Sequence, residues 1–137
     1  MHLWAKITDT LFARVQRRFN ETIMKITNYS FGHIEVDGLA YSSDVIITPE
    51  GVQNGWWRKE GHLLQLEDIG GILQKRPDVL VVGRGESAKM RVDAAVWETL
   101  SKMGIELIAA PTEQACDEFN RFMEQGKKVV AALHLTC

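Results

Sequence analysis

The spacing of hydrophobic residues divides the chain into a short N-terminal segment and a longer body. In the first 23 residues, apolar side chains recur at every fourth position, which is typical of one face of an amphipathic helix. The residues of this stripe are Leu3, Ile7, Leu11 and Val15, with Trp4, Phe12 and Phe19 beside them. We therefore predict an amphipathic helical extension over residues 1–23 and one domain over residues 24–137.

Three interpretations of the extension stay open. It is a helix that packs on the domain or on a partner, a helix that lies on a membrane surface, or sequence upstream of a true start at Met24. As a function, membrane attachment ranks below protein interaction and anion binding, and we do not expect a membrane surface as a partner.

From Ile26 onward the hydrophobic period changes to two, which is typical of strands. Asp37 and Gly38 supply a hairpin turn, and residues 41–48 follow as a second strand. The aromatic stretch over residues 55–58 is a candidate third strand. This half of the domain is therefore predicted to be an antiparallel meander.

After residue 62, helical stripes alternate with continuous apolar runs. The predicted helices cover residues 66–73, 92–103 and 112–123, and the predicted buried strands cover residues 79–82, 105–110 and 129–135. Thr112 is predicted to cap the last helix at its N-terminus, and Gly104 and Gly126 to follow the ends of two helices. Helical crossovers of this length join parallel neighbours. We predict an α/β fold, a single domain whose sheet is of mixed direction and is covered by helices.

Composition and charge exclude several classes of protein. The chain has 137 residues, 45% of them hydrophobic, which is typical of a globular domain, and no apolar run is long enough to span a membrane. Its 16 basic and 18 acidic residues argue against a dedicated nucleic-acid binder. The two isolated cysteines, Cys116 and Cys137, favour a reducing compartment, so we expect a cytoplasmic location.

The histidines are scattered along the sequence, so a metal site would have to be assembled from distant positions. They are His2, His33, His62 and His134. We accordingly expect neither a metal ion nor a cofactor.

The strongest candidate chemistry lies where parallel strands end, because ligands of open α/β sheets bind beyond the carboxyl ends of the strands. Glycine backbone, an arginine and a helix N-terminus can together form a small anion pocket there. The residues we assign to it are Gly83, Arg84, Gly85, Ser87, Thr112 and His134. The alternative is structural: a tight glycine turn, a capping threonine and a hydrogen-bonded core histidine.

The adjacent tryptophans Trp56 and Trp57 are the second candidate. In an extended segment one of them must face outward, where it would anchor a protein partner. The alternative is partial burial under the N-terminal segment. Neither paired carboxylates nor an activated nucleophile emerges from the sequence, so whether the protein is an enzyme stays open.

The sequence from Met24 to Cys137 resembles the Mth938-like domain proteins, a group of unknown function. The resemblance is carried by short motifs in order: residues 31–32, 36–38, 43–47, 77–85, 104–105 and 112–120, and the closing His134-Leu135-Thr136-Cys137. It departs at Phe119, where tyrosine is common. The resemblance implies a three-layer α/β domain, and the eukaryotic relatives include a mitochondrial complex I assembly factor and an adipogenesis-associated protein, neither known as an enzyme.

These observations together predict a non-catalytic accessory, assembly or protein-interaction domain with an unidentified protein partner. The alternative is a protein or enzyme that binds a small anionic metabolite in the pocket described above. Nucleic acid is not expected as a partner.

Overall fold

Residues 24–137 are described by the computed structural model of the protein, and the predicted extension over residues 1–23 lies outside them. In chain order the elements are β1 (Ile26–Ser30), β2 (His33–Val36), β3 (Leu39–Tyr41), β4 (Val45–Thr48), β5 (Gly51–Asn54), β6 (Leu63–Leu64), a 3₁₀ helix (Leu66–Ile69), α1 (Gly70–Lys75), β7 (Val79–Arg84), β8 (Arg91–Val92), α2 (Ala94–Lys102), β9 (Glu106–Ala110), α3 (Thr112–Glu124) and β10 (Val129–His134).

A five-stranded mixed sheet forms the centre of the domain, in the order β5-β4-β10-β7-β9. The helical crossovers make β7 parallel to both β9 and β10, whereas β4 runs antiparallel to β10 and to β5. The mixed sheet predicted from the sequence is therefore confirmed. Two smaller sheets, β1-β2-β3 and β6-β8, flank it.

Side-chain alternation along the central strands supplies two separate hydrophobic cores. In β7, Val79 and Val81 face a core shared with β1, β2 and α3, while Leu80 and Val82 face a core shared with α1, α2 and Trp56. We call these the α3 face and the α2 face of the sheet. Because both faces are covered, the central strands are buried on both sides, as the continuous apolar runs predicted, and the domain has the three layers that the resemblance implies.

The antiparallel half departs from prediction at the strand over residues 41–48. That strand is broken between Tyr41 and Val45: β3 pairs with β2, whereas β4 belongs to the central sheet. The carboxylate of Asp44 accepts the backbone N–H of Leu135 at 2.8 Å, which holds the break at the end of β10. The predicted third strand over residues 55–58 is also wrong, because β5 ends at Asn54.

The helix boundaries differ from prediction in three places. The helix predicted over residues 66–73 is a 3₁₀ turn followed by α1. The next helix begins at Ala94, capped by the Asp93 side chain, because Arg91–Val92 pairs with β6 instead. Thr112 is the first residue of α3 rather than its cap, and Pro111 occupies the cap position. Gly104 and Gly126 follow α2 and α3 with positive φ, as predicted.

Candidate functional site

The ends of β7 and β10 meet the start of α3 at a buried threonine. Thr112 is fully buried, its hydroxyl donates to the carbonyl oxygen of His134 at 2.5 Å, and its Oγ1 accepts the N–H of Gly85 at 2.9 Å. The Thr112 N–H in turn donates to the Gly85 carbonyl at 3.1 Å. The fold therefore brings together three residues of the predicted anion pocket, and it bonds them to one another. This use of the hydroxyl explains why Thr112 does not cap α3.

Both glycines of this loop are required by close approach of the chain. A Cβ at Gly83 would lie 2.8 Å from Thr112 Oγ1 and 2.9 Å from a methyl group of Leu133. Gly85 has φ +98°, and a Cβ there would lie 2.2 Å from the carbonyl carbon of Cys137. These positions thus have a structural reason to be glycine whether or not a ligand binds.

The C-terminal segment over residues 135–137 supplies hydrogen-bond acceptors to the same loop. The N–H groups of Glu86 and Lys89 donate to the carbonyl oxygens of Thr136 and Cys137, at 2.6 and 3.3 Å. Several backbone donors that an anion would use are therefore already paired within the chain.

The predicted pocket residues also divide between the two faces of the sheet. Gly83 packs against Thr112 on the α3 face. Arg84 and His134 are partners in the β7–β10 register and lie on the α2 face, where Arg84 Nε donates to the Met90 carbonyl at 2.7 Å. Ser87 is exposed on the loop between β7 and β8. A single pocket lined by the whole set would have to extend around the end of the sheet, and anion binding there stays a prediction.

A buried polar cluster on the α2 face was not foreseen from the sequence. It joins Asp44, Arg58 and His134, which come from the start of β4, the loop after β5 and the end of β10. Arg58 Nη1 donates to Asp44 Oδ2 at 2.9 Å, and His134 Nδ1 lies 2.8 Å from the same oxygen. Arg58 is 8% exposed and His134 6% exposed. We call these three residues the Asp44 cluster.

Arg58 and Asp44 are each fixed by further contacts outside the cluster. Arg58 Nη2 donates to the carbonyl of Gly61 at 2.9 Å, and its guanidinium stacks over the ring of Trp56 at 4.6 Å. Burial raises the pKa of Asp44, but the hydrogen bonds from His134, the Leu135 N–H and Arg58 outweigh this effect and hold the pKa below its usual value. Asp44 is therefore an ionised carboxylate at neutral pH.

The ionised carboxylate determines the tautomer of His134. Two acceptors cannot face each other at 2.8 Å, so a proton lies between Asp44 Oδ2 and His134 Nδ1, and it belongs to the imidazole. Arg58 Nη2 lies 3.1 Å from the same ring nitrogen but cannot donate to it once Nδ1 carries a proton. Nη2 donates to the carbonyl of Gly61 instead. In the neutral ring the lone pair is left on Nε2. That atom is buried and has no hydrogen-bond partner among residues 24–137.

The two tryptophans have opposite environments. Trp56 is buried, and its indole N–H donates to the carbonyl of Asp68 at 3.2 Å. Trp57 is 76% exposed. One tryptophan thus faces outward, as their adjacency predicts, although the segment is a loop rather than a strand.

The remaining candidate chemistry is limited within the described part of the chain. Burial raises the pKa of the Cys116 thiol to about 12, so it is an inert core residue. Residues 24–137 contain no group of three or more side chains placed to hold a metal ion. None of their helices combines the length and the apolar character needed to cross a membrane.

Comparison with known proteins identifies relatives by family and by fold. A family described as protein of unknown function (DUF498/DUF598) matches residues 26–134. The chain is similar to a conserved hypothetical protein of Pyrococcus horikoshii, with 26% identity and a TM-score of 0.70 over 83% of this chain and 100% of that one. It is also similar to a Mth938-like domain protein of Bordetella pertussis, with 23% identity and a TM-score of 0.56 over 82% and 86% of the two chains. A protein of Xanthomonas campestris matches at 19% identity and a TM-score of 0.68, over 82% and 84%.

Proposed function

The chain belongs to the DUF498/DUF598 family of Mth938-like domains, whose function is unknown, and we propose that it is a non-catalytic accessory domain that binds another protein. The observation that carries this proposal is the exposure of Trp57 beside two buried neighbours, Trp56 and Arg58. Tryptophan is the residue type most enriched among those that dominate binding energy at protein interfaces.

The backbone on both sides of Trp57 is held in place. The Trp56 N–H donates to the carbonyl of Asp44 at 2.9 Å, and its indole is bonded inside the α2-face core. On the other side, the buried guanidinium of Arg58 is bonded to Asp44 and to Gly61. An exposed aromatic side chain on a fixed backbone loses little conformational entropy on binding, which favours its use as an anchor.

Other exposed apolar side chains provide comparisons within the same protein. Phe31, Leu39 and Trp97 are 57%, 65% and 46% exposed. Trp97 lies on α2 and is the matched control, because it has the same side chain on a different element. Single exposed apolar residues are common on protein surfaces, so the proposal rests on Trp57 rather than on their number.

The test is quantitative capture with the full chain. Wild-type protein and its Trp57→Ala and Trp97→Ala variants are immobilised at equal density, exposed to extract of the source cells, and the bound proteins are quantified by mass spectrometry. We expect at least one partner whose recovery falls tenfold or more with Trp57→Ala and is unchanged with Trp97→Ala. Loss of an anchor that contributes about 2 kcal/mol weakens binding about 30-fold.

The contrary outcome is equally specific. If every captured protein is recovered in equal amount with wild type and Trp57→Ala, Trp57 is not an anchor and the proposal is wrong. Circular dichroism spectra of the two variants establish that neither change alters the fold.

A further inference from the structure

Two histidines that are far apart in the sequence meet at the Asp44 cluster. The rings of His62 and His134 contact each other edge to face, with centroids 6.1 Å apart and planes at 64°. His134 is buried, whereas His62 is exposed on the loop before β6. Nothing in the sequence spacing indicated this pair.

We propose that His134 Nε2 and the His62 imidazole bind a first-row divalent transition-metal ion such as Zn²⁺. Metal-binding histidines characteristically donate their other ring N–H to a carboxylate, which fixes the tautomer and directs the lone pair at the metal. His134 has this arrangement through Asp44, and the carboxylate is itself held by Arg58 and by the N–H of Leu135.

Within residues 24–137, His134 Nε2 has no hydrogen-bond partner, and this favours a role in ligand binding over a purely structural role. A buried acceptor without a partner costs about 1–3 kcal/mol, and buried polar atoms are nearly always satisfied. A cluster that only held the end of β10 would not need a nitrogen at this ring position. An apolar group there would avoid the cost of a buried polar atom without a partner. A metal ion uses the lone pair directly.

The distance between the rings suits one shared ion after a small adjustment. With metal–nitrogen bonds of about 2.0–2.1 Å, two imidazoles on a tetrahedral ion have centroids about 5 Å apart. The observed 6.1 Å must therefore shorten by about 1 Å. Because the His62 side chain is exposed, rotation about its own bonds can supply this movement.

The charges around the pair permit a cation. The guanidinium of Arg58 is the nearest positive group, and its 2.9 Å ion pair with Asp44 neutralises it. Since residues 24–137 provide no third ligand in place, water or a partner group completes the coordination. The site is therefore expected to be weaker than a structural zinc site with four protein ligands.

The experiment is a calorimetric titration of Zn²⁺ into the full chain, carried out separately on four proteins. These are wild type, His62→Gln, the control His33→Gln, and Cys137→Ser. His33 is a partly exposed histidine 3.6 Å from the carboxylate of Glu35, so it matches His62 in residue type and offers a competing surface site. We expect one Zn²⁺ per wild-type chain, affinity at least tenfold lower in His62→Gln, and unchanged affinity in His33→Gln and Cys137→Ser.

A second measurement avoids variants of the buried histidine, which can fail to fold. Long-range ¹H–¹⁵N spectra of the wild-type chain report each ring nitrogen, and we expect Zn²⁺ to shift the Nε2 signal of His134 while Nδ1 keeps its proton. The proposal is overturned if wild type binds no Zn²⁺ or if His134 Nε2 is unaffected. It is also overturned if the affinity depends on His33 or Cys137 rather than on His62.

Discussion

Replacement of Thr112 by valine tests whether the meeting point of β7, β10 and α3 is held by one hydroxyl. Valine keeps the shape of threonine but removes the atom that accepts from the Gly85 N–H and donates to the His134 carbonyl. Both backbone groups are then left buried without this partner, at about 1–3 kcal/mol each. We expect the free energy of unfolding to fall by about 2–6 kcal/mol.

Urea unfolding followed by circular dichroism measures this loss. With an m-value of about 1–3 kcal/mol/M, a loss of about 3 kcal/mol lowers the midpoint by about 1–3 M. The matched control is Thr112→Ser, which keeps the hydroxyl and loses one methyl group, at about 1 kcal/mol. The reasoning is refuted if Thr112→Val unfolds within about 0.5 kcal/mol of wild type, or if the serine variant is destabilised as much as the valine variant.

Four further predictions concern the loop, the N-terminal strand, the core thiol and the predicted anion site. Gly85→Ala should unfold the chain at a lower urea concentration than wild type, since its Cβ would overlap the C-terminal backbone and its φ is +98°; an unchanged midpoint contradicts this. Asn120→Ala should cost about 2–4 kcal/mol in urea unfolding, because its amide makes two hydrogen bonds, of 2.9 and 2.8 Å, to the backbone of β1; Asn120→Asp, which keeps only the acceptor, should fall between. The pKa of Cys116 is about 12 in the folded chain and 9.0 when unperturbed, so the thiol of the unfolded chain ionises at lower pH. The free energy of unfolding should therefore decrease between pH 9 and 12, and this decrease should be smaller in Cys116→Ala. Equal pH profiles of the two proteins would disprove the prediction. Anion binding at Arg84 predicts that phosphate or an organic acid raises the Tm of wild type but not of Arg84→Ala; equal shifts would exclude it.

The three-layer architecture could be predicted because its evidence is local. The run Val79–Val82 is apolar at every position, so both faces of the strand need a cover: α1 and α2 cover one face, and α3 covers the other. The break between β3 and β4 was not predictable in this way. The residues from Tyr41 to Thr48 read as one extended run, but the chain changes sheets at Asp44, where the carboxylate accepts the Leu135 N–H at the end of β10.

The Asp44 cluster shows why buried charge escapes sequence reasoning. Hydrophobic periodicity assigns Asp44 and Arg58 to the surface, since it treats every charged residue as exposed. Their burial depends on the Asp44–Arg58 ion pair and on the β4–β10 adjacency, which brings His134 to the same carboxylate. The nearest signal in the sequence was the double tryptophan, because an arginine two residues after a buried aromatic residue can stack on it.

The two faces at the end of the sheet therefore have different capacities for chemistry. On the α3 face, Gly83 admits Thr112 so closely that even a Cβ would overlap, and the threonine hydroxyl uses both its donor and its acceptor within the chain. On the α2 face, the side chain of His134 is oriented by Asp44 and retains one unpaired nitrogen beside an exposed second imidazole. At the end of β10, the His134 carbonyl thus accepts a hydrogen bond from Thr112 on the α3 face, while the His134 side chain lies on the α2 face. Changes that loosen Thr112 should then reach the His134 ring through its own backbone, so Thr112→Val should shift the His134 Nε2 resonance while Thr112→Ser should not.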